Sequence, residues 1–126
     1  MPIPASWAPR LSSLLRIVAG LGSFAHGVSK FFHVPPSPFP VTPLSTVAGV
    51  LELVGGFLIL IGLFTRPAAF ILSGMMAVAY FMFHLPRGFF PAANHGEAAM
   101  LYCFIFLYLA AAGAGPWGVD AKRARA

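Results

Sequence analysis

The chain has little charge for its length, and acidic residues are the scarcest. Of 126 residues only 9% are charged and 3 are Asp or Glu, while 59% are hydrophobic and the mean hydropathy is +0.84. Soluble domains carry charge on about 25% of their residues. So few polar side chains cannot cover a water-soluble globule. The composition therefore excludes a soluble domain and indicates a protein embedded in a lipid bilayer.

Cysteine is also nearly absent, since Cys103 is the only one. A single thiol excludes an internal disulfide, a Cys-x-x-Cys redox relay and a thiolate metal cage within the chain. Its position inside an apolar segment favours a packing role. The sequence therefore predicts no sulfur chemistry.

Four apolar segments are separated by proline-containing connections, the first of them at 35–43. The segments are 11–32, 44–64, 67–85 and 97–113. Each comes close to the ~20 residues that an α-helix needs to cross a ~30 Å hydrocarbon layer. They are continuously apolar, whereas the strands of a membrane barrel would alternate apolar and polar residues. We predict an all-α fold, an integral membrane four-helix bundle formed by one domain over 1–126, with a short basic tail at 119–126.

The basic residues predict the orientation of this bundle. One side of a four-span arrangement receives Arg10, Arg16, Arg66, Lys122, Arg123 and Arg125. Because Lys and Arg accumulate in cytoplasmic loops, both termini are predicted to be cytoplasmic. The net charge of +5 is then explained by contact with anionic lipid, and no nucleic-acid partner is predicted. A cleavable signal peptide is disfavoured because Arg16 interrupts the first segment and further apolar segments follow.

Glu52 is the residue of greatest interest, because it lies inside the second apolar segment. Inserting a charged side chain near the bilayer centre costs at least about 3 kcal/mol of free energy. We therefore expect Glu52 to have either a binding partner within the protein or a functional role. It shares a helix face with Gly55 and Gly56, which predicts that it points into the bundle. We weigh a structural ion pair with Arg16 against hydrogen bonding or proton transfer with His26, and favour a paired Glu52.

Small and basic residues form a stripe on the first helix. The stripe consists of Arg16, Gly20, Ser23, Gly27 and Lys30. Small side chains there allow a second helix to approach closely. We therefore expect this stripe to face the bundle interior.

Polar and aromatic side chains toward the outer side form a candidate quinone site. Its residues are His26, Lys30, Glu52, Tyr80, His84, Glu97 and Phe104. A quinone head requires a few donors and acceptors above an apolar slot for its tail. The competing interpretation is that the aromatic residues are bundle core, and that Asn94 and Glu97 merely cap the fourth helix.

The sequence supports a haem or metal site less than it supports a quinone site. Haem ligation needs two histidines at matched depth, and His26 with His84 or His95 shows neither a C-x-x-C-H motif nor a repeated spacing. His33, His84, His95 and Glu97 lack zinc-ligand spacing. The sequence disfavours haem and predicts no metal site.

Several segments follow one another in a characteristic order and spacing: Arg16–Gly20 leading to His26–Lys30, then Gly49–Arg66, Asn94–Glu97 followed by Leu101-Tyr102, and Gly113–Asp120. Together they resemble the DoxX family of membrane proteins over residues 14–120. The family's motif positions correspond to Arg16, His26, Lys30, Glu52, Arg66, Glu97 and Asp120. The family name derives from a subunit of a thiosulfate:quinone oxidoreductase.

The resemblance implies a small multi-pass subunit of a quinone-linked respiratory oxidoreductase in the bacterial cytoplasmic (inner) membrane. It would anchor other membrane or periplasmic redox subunits, which supply the redox centre, and line a quinone/quinol site. One alternative is a non-enzymatic structural or assembly subunit of a larger complex or a homo-oligomer, whose charges only hold helices together. A third possible function is a small-solute permease, which would need a continuous polar path across the membrane.

Overall fold

The computed structural model describes residues 2–34 and 42–125, and that part of the chain is helical with no strand. A 3-10 turn at Ala5–Trp7 precedes the helices, which are α1 (Ala8–Phe32), α2 (Pro43–Ile61), α3 (Thr65–Ala79), α4 (Pro91–Asn94), α5 (Glu97–Ala112) and α6 (Val119–Arg125). α3 continues into a π-helical turn at Tyr80–His84 and a 3-10 turn at Leu85–Arg87. The predicted all-α class is confirmed.

Within the described residues, three helical stretches have the length and apolar composition to cross a membrane. They are Ala5–Phe32, Pro43–Ile61 and Thr65–Arg87. α5 has 16 residues and carries its one charged residue, Glu97, at its first position. At 1.5 Å per residue it is about 24 Å long, close to the ~30 Å of the hydrocarbon layer. The chain is therefore a multi-pass membrane protein with a bundle of apolar helices.

The helix ends follow from local sequence. At the start of α2, Thr42 Oγ1 accepts from the Ser45 N–H at 3.0 Å and Ser45 Oγ accepts from the Thr42 N–H at 2.8 Å, a reciprocal capping box. α2 ends at Gly62, whose φ of +76° is left-handed. The sequence predicted that this helix would run to residue 64, but the turn at Gly62 ends it earlier. Most of the predicted first connection, 35–41, lies outside the described residues.

Glycines bring α1 and α2 together as an antiparallel pair. A Cβ added at Gly20 would lie 2.5 Å from the Leu60 nitrogen, and one added at Gly27 would lie 2.7 Å from the Leu53 nitrogen. The two backbones are therefore in direct contact, as small residues permit between membrane helices. The buried residues of α1 are Ser13, Arg16, Ala19, Gly20, Ser23 and Gly27. The predicted stripe thus faces inward.

The apolar core lies between the α1–α2 pair and the α3–α5 pair. It is formed by Ala19, Ile59, Ala68, Ala69, Leu72, Phe106 and Leu109. Large apolar side chains such as Phe70 and Phe104 point outward, 66% and 64% exposed, as lipid-facing residues do. Polar clusters lie on either side of this core, toward the two ends of the bundle.

Candidate functional site

A partly buried ion pair joins α1 to α2. Lys30 Nζ, in the last turn of α1, donates to Glu52 Oε1, and their side chains are 18% and 6% exposed. The lysine stem passes beside Gly49, where an added Cβ would lie 3.4 Å from Lys30 Cδ. Glu52 therefore points into the bundle and has a partner, as an intramembrane charge requires.

The predicted ion pair between Arg16 and Glu52 is wrong. Gly27 lies opposite Leu53, whereas Gly20 lies opposite Leu60, so Glu52 is level with the last two turns of α1. Arg16 is 11 positions before Gly27, which corresponds to about 17 Å along the helix. That distance is longer than an arginine side chain, and Lys30 occupies the position beside Glu52 instead.

Arg16 binds backbone carbonyls at the opposite end of the bundle. Its Nε donates to Ala114 O at 2.8 Å, and its Nη1 donates to Ile59 O at 2.8 Å and Leu60 O at 2.7 Å. The residue is 1% exposed. Carbonyls in the last turn of a helix lack intrahelical partners and carry partial negative charge, so a cation is favourable there. Arg16 thus links the end of α2 to the segment after α5.

Asp120 completes this link from the first turn of α6. Its Oδ1 accepts from the Phe64 N–H and its Oδ2 accepts from the Thr65 N–H, both at 2.9 Å, at the start of α3. The Asp120 N–H donates to Gly62 O at 2.8 Å. A carboxylate at a helix N-terminus satisfies unpaired N–H groups and the positive end of the helix dipole. We name Arg16, Gly62, Ala114 and Asp120 the Arg16 cluster.

Asn94 is the centre of a second polar cluster, at the end of the bundle where α3 finishes. It is fully buried, its Nδ2 donates to Gly88 O at 2.9 Å and Tyr80 Oη at 3.2 Å, and its Oδ1 accepts from the Gly96 N–H at 2.8 Å. The prediction that Asn94 caps the fourth helix is wrong, because Asn94 ends α4 and Gly96 is the N-cap of α5. Glu97 does lie in the first turn of α5.

His84 joins this cluster through the backbone of Asn94. Its Nδ1 lies 3.2 Å from Asn94 O. Because a carbonyl can only accept, we assign the ring proton to Nδ1, which makes Nε2 the acceptor of the neutral ring. Gly96 packs against both side chains, since an added Cβ would lie 2.7 Å from His84 Cβ and 2.8 Å from Tyr80 Cε2. We name Tyr80, His84 and Asn94 the Tyr80 cluster.

The π-helical turn supplies both titratable members of the Tyr80 cluster. It begins at Tyr80 and ends at His84, and the Leu85 N–H donates to Tyr80 O across it. π turns are rare and occur frequently at functional sites. Both side chains are half-buried, so part of each remains accessible from outside the protein.

The seven residues predicted to line a quinone site do not form one pocket. Lys30 and Glu52 lie together between α1 and α2, and Tyr80 and His84 lie together in the Tyr80 cluster. The other predicted residues, His26, Glu97 and Phe104, are exposed. The hydrogen-bond partner of Glu52 is Lys30 and not His26, the proton-transfer partner that the sequence suggested. Across residues 2–34 and 42–125, no three His, Cys, Asp or Glu side chains are placed to hold a metal ion.

The chain is similar to a known protein family and to a known bacterial protein. The DoxX family profile matches residues 11–85, which include Arg16, Lys30, Glu52 and the π-helical turn. An uncharacterized protein of Haemophilus influenzae is 45% identical over 124 residues, with 92% of each chain covered. No solved structure matches the chain.

Proposed function

Because the chain belongs to the DoxX family, we propose that it is a small integral membrane subunit of a quinone-linked respiratory oxidoreductase in the bacterial inner membrane. It anchors the partner subunits that hold the redox centre and presents a quinone site at the Tyr80 cluster. The observation that carries this function is the pair of half-buried rings, Tyr80 and His84, held on a π-helical turn by the buried Asn94.

The hydrogen-bonding capacity of the Tyr80 cluster fits a quinone or quinol head. Tyr80 Oη accepts from Asn94 Nδ2, and its own proton is directed to Phe89 O at a long 3.4 Å. That proton is available for a stronger bond to a quinone oxygen. His84 Nε2 can accept a quinol O–H, because Nδ1 is held by Asn94 O. A bound quinone would supply the exchange of two electrons and two protons with the partner subunits.

The surface beside the cluster suits the apolar tail of such a ligand. Three successive side chains of the π-helical turn, Phe81, Met82 and Phe83, are 64%, 52% and 51% exposed. Small-molecule sites combine a mostly apolar lining with a few placed polar groups. A ligand arriving from the bilayer would meet the apolar side chains first and the two polar rings next.

The distribution of basic residues supports an outer position for this site. Exposed Arg66, Lys122 and Arg123 lie at the end of the bundle that carries the Arg16 cluster. By the positive-inside rule that end is cytoplasmic, together with both termini. The Tyr80 cluster then faces the periplasm, within reach of a periplasmic redox subunit.

The test is quinol-dependent turnover in membranes that contain the intact complex. Tyr80→Phe removes the hydroxyl, and His84→Asn keeps a donor toward Asn94 O while removing the Nε2 acceptor. Each loses one hydrogen bond of about 1 kcal/mol, so KM for quinol rises about fivefold. Tyr108→Phe is the matched control, because its hydroxyl bonds Ser12 at 3.3 Å, far along α5 from the cluster.

The pairing of Glu52 with Lys30 favours a second candidate function. A buried carboxylate that is already neutralised by a lysine serves to join α1 and α2, which suits a non-enzymatic structural or assembly subunit. Unchanged kcat and KM in both Tyr80→Phe and His84→Asn, at normal amounts of assembled complex, would contradict the quinone site and support this assembly function.

A further inference from the structure

The segment that follows α5 forms a shallow cleft on the surface. The residues lining it are Pro116, Trp117, Gly118, Val119 and Lys122, and we name it the Trp117 cleft. The segment is fixed to the bundle, because the Trp117 N–H donates to Ser13 Oγ at 3.2 Å and Asp120 holds the start of α3. A Cβ added at Gly118 would lie 2.5 Å from Ala114 Cβ. The cleft is therefore a built feature of the fold.

The charge around the Trp117 cleft is positive. Lys122 and Arg123 are exposed on α6, and the Arg123 guanidinium lies 5.3 Å from the centre of the Phe64 ring. Asp120 is the acidic residue nearest to them along the chain, but both its carboxylate oxygens accept backbone N–H groups of α3. Its charge is thus directed into the bundle, and the two cations remain available to an anion.

Aromatic side chains place the cleft at the depth of the lipid headgroups. Trp117 and Phe64 are each 53% exposed, at a helix end next to basic residues. On α1 at the same end, Arg10 lies 4.8 Å from the Trp7 ring. Tryptophan with Lys or Arg at a helix end is typical of the membrane–water interface, where the ring lies near the headgroups and the cation reaches the phosphates.

We propose that the Trp117 cleft binds the headgroup of an anionic phospholipid, with Lys122 contacting the phosphate and Trp117 lying beside the glycerol backbone. An anionic lipid is favoured over a zwitterionic one because a basic residue at an anionic surface adds attraction that a neutral headgroup does not offer. This lipid site is separate from the Tyr80 cluster and does not depend on the quinone function.

Tryptophan fluorescence tests the lipid site directly. The chain has two tryptophans, so Trp7→Phe leaves Trp117 as the reporter. The variant is placed in nanodiscs of phosphatidylglycerol and phosphatidylcholine in which one or the other lipid carries brominated chains. Brominated phosphatidylglycerol is expected to quench Trp117 more strongly. Adding Lys122→Gln should reduce the relative affinity for phosphatidylglycerol about fivefold.

Two controls test the proposal that the Trp117 cleft binds an anionic lipid. Arg87→Gln, at the other end of the bundle, should leave the lipid preference of Trp117 unchanged. Equal quenching by the two brominated lipids, or a preference that survives Lys122→Gln, would overturn the lipid site. Inorganic phosphate should weaken the preference no more than chloride of equal ionic strength. A larger effect of phosphate would show a free-anion site and overturn the assignment to lipid.

Discussion

The two ends of the bundle use polar side chains differently. At one end, Arg16 and Asp120 are bound to backbone carbonyls and N–H groups of the α2–α3 turn and of the segment after α5. At the other end, Tyr80 and His84 stay half-buried, and only Asn94 between them is fully buried. Polar groups that are hydrogen-bonded to the backbone stabilise the fold, whereas partly accessible rings can still form hydrogen bonds to a ligand. We therefore assign Arg16 and Asp120 to the stability of the fold, and we propose that Tyr80 and His84 carry the chemistry.

Removing Arg16 should produce the largest loss of stability. Arg16→Met removes three hydrogen bonds, those to Ala114 O, Ile59 O and Leu60 O, at about 1 kcal/mol each, so the free energy of unfolding in detergent falls by about 3 kcal/mol. Reversible unfolding in mixed detergent micelles measures this. Arg10→Met, at an exposed position of the same helix, is the control. A loss of stability no larger than that of Arg10→Met would contradict the structural assignment of the Arg16 end.

Breaking the ion pair between Lys30 and Glu52 should cause the next largest loss of stability. Glu52→Gln leaves the Lys30 charge without its partner, and we expect the free energy of unfolding to fall by about 2 kcal/mol. The double variant Glu52→Leu, Lys30→Met removes both charges and should recover most of the loss. Unfolding curves of the single and double variants give the coupling energy. An unchanged stability in Glu52→Gln would mean that the pair does not hold α1 to α2.

Two glycines on different helices should respond to alanine in opposite directions. A Cβ at Gly56 would lie 2.5 Å from the Phe24 nitrogen, whereas one at Gly74 meets nothing within 4 Å. We expect Gly56→Ala to destabilise the bundle by about 1.5 kcal/mol through overpacking. Gly74→Ala should raise the stability by up to about 1 kcal/mol through helix propensity. Equal melting temperatures for the two variants would contradict the close contact of α1 and α2.

The helical class and the inward faces of α1 and α2 could be predicted because they depend on local pattern. Composition and segment length predicted the membrane helices, and the period of the small residues placed Gly20 and Gly27 on the buried face of α1. The same helical periodicity predicted that Glu52 points into the bundle. These features require no knowledge of which helix lies beside which.

The partners across helices could not be predicted, because periodicity carries no information on register. Arg16 and Lys30 lie on the same stripe, and only the antiparallel alignment of Gly27 with Leu53 shows which of them meets Glu52. In lipid, an aromatic residue is equally stable facing the bilayer or the core, so the period could not show that Phe104 points outward. The interactions of Asn94 likewise depend on tertiary contacts and on the π-helical turn that ends α3.

Photolabelling with a quinone is the most direct test of the central claim, that the Tyr80 end carries the chemistry. Native membranes are irradiated with an azido-quinone, and the labelled peptides of this chain are identified by mass spectrometry after competition with unlabelled quinone. We predict that the competed label falls in residues 80–97, and that Tyr80→Phe reduces it. Label spread evenly over the lipid-facing residues, or concentrated at the Arg16 end, would contradict a quinone site at the Tyr80 cluster.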